Sequence, residues 1–228
     1  MAVWRITRTM TAIHLISIHE RDWNMSESKP RLLIHACCAP CAPYVVSEMK
    51  KDFDITLYFY NPNIHPYSEY ERRANELVRF SIDAGVDYII GKNDIKYWIE
   101  SVKGLENEPE KGERCTVCFS IRLKEAMRKA EELGIPYVTT LLTVSPHKLS
   151  EQINAAGREL QHNFKSVTFL EKNFKKQDGY KKTRQMGAPY QFYQQDYCGC
   201  VFSLRDKRAR DAERLKSDNK NGMPPCLG

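Results

Sequence analysis

Apolar positions along this chain alternate between short runs and helical spacings. Five short runs rich in β-branched, aromatic and aliphatic residues predict strands, at 31–36, 54–60, 86–90, 136–144 and 166–170. Segments with apolar residues three and four positions apart predict helices, at 43–51, 68–85, 115–134, 148–161 and 200–216. Strands that alternate with helices of this length predict βαβ units and a mostly parallel sheet, which is an α/β fold.

Capping and turn residues refine this pattern. Ser68, followed three residues later by Glu71, predicts a capping box, and Gly85 predicts the end of the same helix. Pro62 and Pro66 predict that 61–66 is a loop between the second strand and this helix.

The strong patterns define one α/β domain over 31–216, which ends in a basic helical part. We expect residues 1–30 to be a disordered N-terminal extension and residues 217–228 to be a flexible tail that includes Cys226. The segment 1–24 carries no clear secretory signal, and no apolar run approaches the roughly 20 residues that span a bilayer. We therefore expect a cytoplasmic protein without a membrane partner.

Composition is that of a globular protein, with 42% hydrophobic and 28% charged residues and a formal charge of +6. The basic excess indicates a polyanionic partner. Two segments carry most of the clustered cations, 172–185 and 205–216, and aromatic residues are interleaved between them. Cations for phosphates and aromatic rings for unstacked bases are typical of single-stranded RNA recognition.

Seven of the eight cysteines fall in three tight groups. These are Cys37, Cys38 and Cys41 in "HACCAPC", Cys115 and Cys118 in "RCTVC", and Cys198 and Cys200 in "YCGC". In a reducing cytosol, clustered cysteines are typical of metal ligands or redox catalysts. The first group leaves the first predicted strand at its carboxyl end, where α/β folds build their ligand sites.

The spacing of the first two groups indicates a four-sulfur site. Cys115 and Cys118 point the same way on a helix or its entry turn, and two thiolates from the strand-end loop complete the set. Both zinc and an iron–sulfur cluster suit four sulfurs. The neighbouring thiols of Cys37 and Cys38 splay apart, which favours two irons of a larger cluster over one small ion.

The third group has a different chemistry. Gly199 allows a sharp bend between Cys198 and Cys200, and a disulfide there would close a small, strained and therefore labile ring. As a dithiol, the pair stores two electrons. The alternative is that both are further metal ligands, together with Cys41.

These motifs resemble the epoxyqueuosine reductases of the QueH type. The resemblance covers about residues 31 to 205 and rests on the blocks "HACCAP", "YNPNIHPYSEYERR", "RCTVCFSIRL", "TTLLTVSPHK" and "YCGCVFS", in that order. It implies a three-layer α/β fold of the HUP class, which is related to adenine nucleotide hydrolases. It also implies reduction of epoxyqueuosine to queuosine at the wobble position of tRNA, with a [4Fe–4S] cluster and an external electron donor.

The resemblance also implies residue roles. The cluster ligands would be Cys37, Cys38, Cys115 and Cys118, and the redox-active dithiol would be Cys198 with Cys200. Some members of the family have an acidic residue where this chain has Cys41, so Cys41 is expected to be a spare thiol, a substitute for the acid or a ligand of a second metal.

The chemistry of epoxide reduction fits a protein with a dithiol and a metal cluster. Conversion of an epoxide to an alkene consumes two electrons and two protons and releases water. The candidate proton donors by position are His35, His65, Tyr67, Asp196 and Tyr197.

Two other functions compete with this interpretation. A zinc-stabilised RNA-binding module would use the cysteines structurally, but seven thiols exceed the four that one zinc needs. A tRNA-thiolating enzyme of the related ATP-binding fold would need a Gly/Ser-rich phosphate loop after the first strand, where this chain has "CCAPC".

Overall fold

The computed structural model describes residues 16–17 and 29–220 and contains a six-stranded sheet between two layers of helices. The strands are β1 (Ile16–Ser17), β2 (Arg31–His35), β3 (Asp54–Phe59), β4 (Asp87–Ile90), β5 (Tyr137–Thr140) and β6 (Thr168–Phe169). The helices are α1 (Ala42–Met49), α2 (Tyr67–Ala84), α3 (Ile95–Ser101), α4 (Glu113–Glu132), α5 (Ser150–Gln161), α6 (Gly179–Gly187) and α7 (Val201–Lys220).

The strand order is β1-β4-β3-β2-β5-β6. Strands β2 to β6 pair in parallel, and only β1 pairs antiparallel, against β4. The chain moves outward from β2 to β3 and β4 and then returns to β5 on the other side of β2. The strand order therefore reverses between β2 and β5, and α/β proteins bind ligands outside the carboxyl ends of the strands at such a point.

Both faces of the sheet are buried, as expected for parallel strands. Leu32 and Ile34 of β2 pack with α1 and α2, and Leu33 packs on the other face with α4 and α5. The predicted apolar stripe of α4 lies in this second core, through residues that include Leu123, Ala126 and Met127. The three-layer α/β prediction is therefore confirmed.

Most predicted elements are present, with two corrections. The capping box of Ser68 and Glu71 is wrong, because α2 begins earlier, at Tyr67, and follows Pro66 without a side-chain cap. The strand predicted over 136–144 ends at Thr140, since the Thr140 hydroxyl accepts a hydrogen bond from the Leu142 amide and starts a 3-10 turn over Leu141–Val144. Gly85 ends α2 in the left-handed conformation, as predicted.

The terminal predictions fall mostly outside the described residues. Of the segment 1–28, only the backbone of Ile16–Ser17 is described, and Cys226 also lies outside. The disordered extension and the flexible tail therefore stay predictions. None of the helices in the described part of the chain is long and apolar enough to cross a membrane.

Candidate active site

A cavity of about 390 Å³ opens at the carboxyl edge of the sheet, beside the reversal point. Five cysteines from all three sequence groups line it: Cys37, Cys41, Cys115, Cys198 and Cys200. A recess of about 20 Å³ shares part of this wall and adds Cys118. Folding therefore brings together thiols that are separated by up to 163 positions in the chain, from Cys37 to Cys200.

The strand-end group forms one side of the site. The chain leaves β2 in an extended conformation at Cys38 and then turns through a short 3-10 helix, Ala39–Cys41, into α1. The Sγ atoms of Cys37 and Cys38 lie 3.6 Å apart, and those of Cys38 and Cys41 lie 3.8 Å apart. Gln195 Nε2 donates a hydrogen bond to Cys38 Sγ at 3.1 Å, so the segment before "CGC" contacts this group directly.

Hydrogen bonding distributes protons unequally over these three thiols. Bonds from Cys38 and Cys41 hold the pKa of Cys37 well below its usual range, despite burial. The bond to Cys37 raises the pKa of Cys38 to about 12, and the bonds to Cys37 and Cys38 raise the pKa of Cys41. Cys37 is therefore the most acidic thiol of the group, and thiolates are the form that binds metals.

The other four thiols form a second group around the recess. Cys115 and Cys118 lie one turn apart at the start of α4, and Cys198 and Cys200 line the same recess. Cys115 Sγ accepts a hydrogen bond from the Lys111 amide at 3.2 Å, and Cys200 Sγ accepts one from the Ser203 amide at 3.3 Å. The "CGC" pair thus lies beside the CxxC pair.

Burial dominates the acidity of three thiols in this second group. It raises the pKa of Cys115, that of Cys200 and, to about 11, that of Cys118. Without a bound metal these thiols are therefore protonated. All seven grouped cysteines are free in the structure.

Two neighbouring segments hold the "CGC" loop in place. Gly199 has a φ of 122°, which a side chain would strain, and its backbone oxygen accepts a hydrogen bond from the His65 amide at 2.8 Å. The Tyr197 hydroxyl donates in return to the His65 carbonyl at 2.5 Å. The predicted loop 61–66 therefore supports the "CGC" loop.

A buried ion pair on α2 fixes the same loop from the other side. Arg73 donates to the carbonyl oxygens of Cys198 at 3.1 Å and Tyr197 at 3.3 Å. Its guanidinium pairs with Glu69 at 2.7 Å, and both side chains are almost fully buried. Arg73 thus ties α2 to the cysteine loop.

Positive charge surrounds the thiols. Cys41 precedes α1, Cys115 lies in the first turn of α4, and Cys200 precedes α7, so three helix N-termini face the site. Arg114, Arg122 and Lys148 line the cavity. Burial lowers the pKa of Lys148, but the combined negative charge of nearby thiolates, above all that of Cys198, has a larger opposite effect. The net result is a raised pKa for Lys148. The environment therefore favours bound anions and thiolates.

The candidate proton donors are not equally placed. His35 is fully buried between the Thr140 hydroxyl and the Tyr60 carbonyl, and burial lowers its pKa to about 4, so it is a neutral core residue. Tyr67 lies on the surface, with 60% of its area exposed. Asp196 and Tyr197 line the cavity, and Asp196 also pairs with Lys207 at 3.0 Å. Only these two therefore reach the cavity among the five candidates.

Several site residues were missed by the sequence analysis. Arg73, Arg114, Arg122, Lys148 and Gln195 all line the cavity. One signal was available for Arg122: it lies four residues after Cys118, on the buried side of α4, where a cation is unusual. The others are brought to the site only by tertiary structure.

The fold and the site together define a class, an α/β protein of the HUP type with a thiol-lined cavity where its strand order reverses. A similar solved structure is the U34-tRNA thiolase NcsA from Methanococcus maripaludis with its [4Fe–4S] cluster. The match covers 84% of this chain and 68% of that one, with a TM-score of 0.52 and 13% identity. At this identity the likeness supports the fold alone.

Sequence comparison identifies the family. The family model described as "Epoxyqueuosine reductase QueH" matches residues 32–206. The epoxyqueuosine reductase QueH of Histophilus somni is 41% identical over 77% of this chain and 73% of its own length. That of Streptococcus pyogenes is 39% identical over 88% and 80%, and that of Thermotoga maritima is 32% identical over 80% and 94%. The chain belongs to the QueH family of epoxyqueuosine reductases, which confirms the resemblance seen in its motifs.

Proposed function

We propose that this chain reduces epoxyqueuosine to queuosine at the wobble position of tRNA. Family membership supports the reaction, and one structural observation carries the site: six thiols from three distant segments line one cavity and its recess, and the seventh, that of Cys38, lies 3.6 Å from Cys37 Sγ. A purely structural zinc module would need four of them, so the zinc alternative is disfavoured. A tRNA substrate also supports a cytoplasmic location.

The dithiol of Cys198 and Cys200 balances the reaction. Oxidation of the two thiols to a disulfide releases two electrons and two protons. The epoxide loses both C–O bonds, a C=C bond forms between the two carbons, and the oxygen leaves with the two protons as water. An external reductant then restores the dithiol.

The donor set fits a sulfur-ligated cluster. Among the described residues, no three His, Cys, Asp or Glu side chains form a ready-made site for a single metal ion. Thiols spread over two sides of a cavity suit a larger group, and we assign Cys37, Cys38, Cys115 and Cys118 as ligands of a [4Fe–4S] cluster. When bound, such a cluster supplies one-electron transfer. A second metal beside Cys41 stays a prediction.

The cavity also has groups for the substrate. Asn61 and Asn63 are buried on its wall, and each has an Oδ1 atom without a hydrogen-bond partner. We assign the side-chain amides of these two residues as hydrogen-bonding partners of an inserted base. We assign Tyr197 and Asp196 as the candidate proton donors to the leaving oxygen, since they reach the cavity from the segment that carries Cys198.

Cations at the entrance suit the phosphates of an anticodon loop. Lys111, Lys148, Arg184 and Arg210, here called the entrance cations, line the cavity. Arg184 and Arg210 come from the two basic segments that the sequence analysis singled out. Cavity thiols and entrance cations thus meet at one opening, as a base inserted from an RNA loop requires.

The test is a set of serine variants that separates the two thiol roles. Anaerobically reconstituted protein should contain about four irons per chain, and Cys37→Ser, Cys38→Ser, Cys115→Ser or Cys118→Ser should each lower the iron content and abolish conversion. Cys198→Ser and Cys200→Ser should retain iron and still fail to convert epoxyqueuosine tRNA. Iron analysis and mass spectrometry of digested tRNA measure both effects.

Cys226→Ser is the matched control and should change neither iron content nor conversion. Colourless protein that carries one zinc and remains active would contradict the cluster. Loss of iron in Cys198→Ser or Cys200→Ser in step with activity would make this pair metal ligands, together with Cys41.

A further inference from the structure

Two arginines in α4 are buried without a counter-ion. Arg114 is 1% exposed and Arg122 is 2% exposed. Within the described residues, neither is within ion-pair distance of a carboxylate, whereas the similarly buried Arg73 pairs with Glu69. A buried charge without a partner is strongly destabilising. These two guanidinium groups, each without a carboxylate partner, therefore require an explanation.

In both side chains, another guanidinium nitrogen is hydrogen-bonded to the backbone while Nη2 has no hydrogen-bond partner. Arg114 Nη1 donates to the carbonyls of Leu105 at 3.0 Å and Glu106 at 3.1 Å, and Arg122 Nε donates to the carbonyl of Cys118 at 3.1 Å. The Nη2 atom of each is buried and has no partner. The two groups therefore present unused N–H donors in a place where the backbone has fixed their orientation.

The free donors are located at the thiols. Arg114 and Arg122 both line the recess formed by Cys115, Cys118, Cys198 and Cys200. No described residue that lines the recess is an Asp or a Glu, so cysteines are the sole source of negative charge there. Both arginines also line the adjoining cavity of about 390 Å³, where Cys37 adds to the thiol lining. Thiolates at these positions are therefore the groups best placed to supply the missing counter-charge.

We propose that Arg114 and Arg122 are positioning residues that balance the negative charge of a thiolate-ligated iron–sulfur cluster and raise its reduction potential. This inference rests on the proposed function. A cluster with four thiolates keeps a net negative charge, which grows when it accepts an electron. Adjacent positive charge and N–H groups stabilise the reduced form more than the oxidised form, and such contacts to the sulfurs tune cluster potentials.

The test compares full-length Arg122→Met, Arg122→Lys, Arg114→Met and Arg114→Lys with the wild type. Arg128→Met is the matched control, because Arg128 lies on the same helix but is exposed and paired with Glu125 and Glu132. In the loaded proteins, redox titration followed by electron paramagnetic resonance should give a more negative midpoint potential for the Met variants. A chelator should also remove iron about 10- to 100-fold faster from them. The Lys variants should recover much of both properties.

Metal-free protein gives a second measurement. Because Met removes an uncompensated buried charge, urea unfolding of the metal-free Met variants should show no loss of stability relative to the wild type. A merely structural role predicts the reverse pattern, with lower stability of the metal-free variants and an unchanged potential and chelation rate. That result would overturn the proposal.

The same experiment separates this proposal from the proposed function. A wild-type chain that takes up no iron would overturn the cofactor assignment and the arginine role with it. A wild type with a normal cluster and Met variants of unchanged potential would overturn the arginine role alone.

Discussion

At the scale of single residues, His35 links the carboxyl ends of neighbouring strands next to the site. His35 is the last residue of β2 and was a candidate proton donor, yet both ring nitrogens are used inside the core. Its hydrogen bonds to the Thr140 hydroxyl and the Tyr60 carbonyl link β2 to β5 and to the end of β3. The residue just before the first cysteine group therefore stabilises the sheet.

The neutral state of His35 should make stability depend on pH. Its pKa is lowered from 6.5 to about 4 by burial, so between these values the unfolded chain binds a proton that the folded chain does not. This contribution is complete above pH 6.5 and is lost as pH falls to about 4, by about 3 kcal/mol in total. Urea unfolding across this range should show the slope.

His35→Asn should be less stable but should lack this part of the pH dependence. The exposed His147 provides the control, since His147→Gln should keep the wild-type slope. A slope that is equal in His35→Asn and the wild type would contradict the assignment.

Gly199 is a second position where one residue type is required. Its φ of 122° is a region that side chains rarely adopt, and an added Cβ would lie 3.1 Å from Arg73 Nη1 and Ile64 Cγ1. We expect Gly199→Ala to cost about 1–3 kcal/mol of stability and to slow conversion, because it moves Cys198 and Cys200. Urea unfolding and the tRNA conversion assay measure these effects.

Gly85→Ala is the matched control for Gly199→Ala. Gly85 also has a positive φ, of 58°, but nothing lies within 4 Å of its Cβ position. Gly85→Ala should therefore cost less stability and leave conversion unchanged. Equal effects of the two substitutions on conversion would show that crowding at Arg73 is unimportant.

At the scale of elements, α2 connects the sheet to the cysteine loop. Its buried pair of Arg73 and Glu69 spans one helical turn, and Arg73 extends to the carbonyls of Cys198 and Tyr197. Arg73→Met should destabilise the protein by about 3–5 kcal/mol, because it leaves Glu69 buried without a partner. It should also speed hydrogen exchange of the amides in 197–200.

Two comparisons sharpen this prediction. Replacement of both partners, in Arg73→Met with Glu69→Leu, should recover much of the stability while exchange at the loop stays fast. The exposed pair of Lys103 and Glu100, 3.4 Å apart, is the control, and Lys103→Ala should change stability by about 1 kcal/mol or less. Unchanged loop exchange in Arg73→Met would mean that the loop is held by other contacts.

The α6 helix shows why some elements escape prediction. Its sequence, "GYKKTRQMG", has three cations and a glycine at each end, and the sequence analysis predicted no helix there. The helix forms because its small face packs on α1: the Thr183 hydroxyl contacts the Tyr44 amide and the Pro40 carbonyl at 3.4 Å. Tertiary contact thus overrides a weak local pattern.

At the scale of the whole molecule, the chain has a formal charge of +6, and the lining of the cavity has seven Lys or Arg residues against two acidic ones. Binding of tRNA should therefore weaken steeply as salt is added, because phosphate contacts release counterions. Arg184→Gln and Arg210→Gln should each weaken binding and reduce the slope of log K against log salt by about 0.7. Filter binding or fluorescence anisotropy at several salt concentrations measures this slope.

Lys51→Gln is the control for charge alone. Lys51 is exposed and follows the C-terminal end of α1, away from the N-terminal end at the cavity. Its removal should leave the salt slope unchanged. Equal slopes for the Lys51, Arg184 and Arg210 variants would place the tRNA contact elsewhere.

The sequence by itself determined the α/β class, the parallel sheet and the cysteine motifs. These features are local: the apolar periods follow from helix and strand geometry, and the spacing of "RCTVC" fixes one turn of helix. Because parallel strands share one carboxyl edge, the position of "HACCAPC" after β2 also located the site.

Only the tertiary structure decided which groups meet there. Three features of the site arise from segments distant in sequence. The "CGC" pair lies beside Cys115 and Cys118, and Arg73 donates a hydrogen bond to the carbonyl of Cys198. Arg114 and Arg122 bring buried charges without a carboxylate partner to the same thiols. The spacing of apolar residues along the chain does not indicate such contacts, because they depend on the order of the strands in the sheet and on which side chains become buried. The cysteine groups could be identified from the sequence, whereas the positions of the cations beside them, Arg114, Arg122 and Lys148, could be identified only from the tertiary structure.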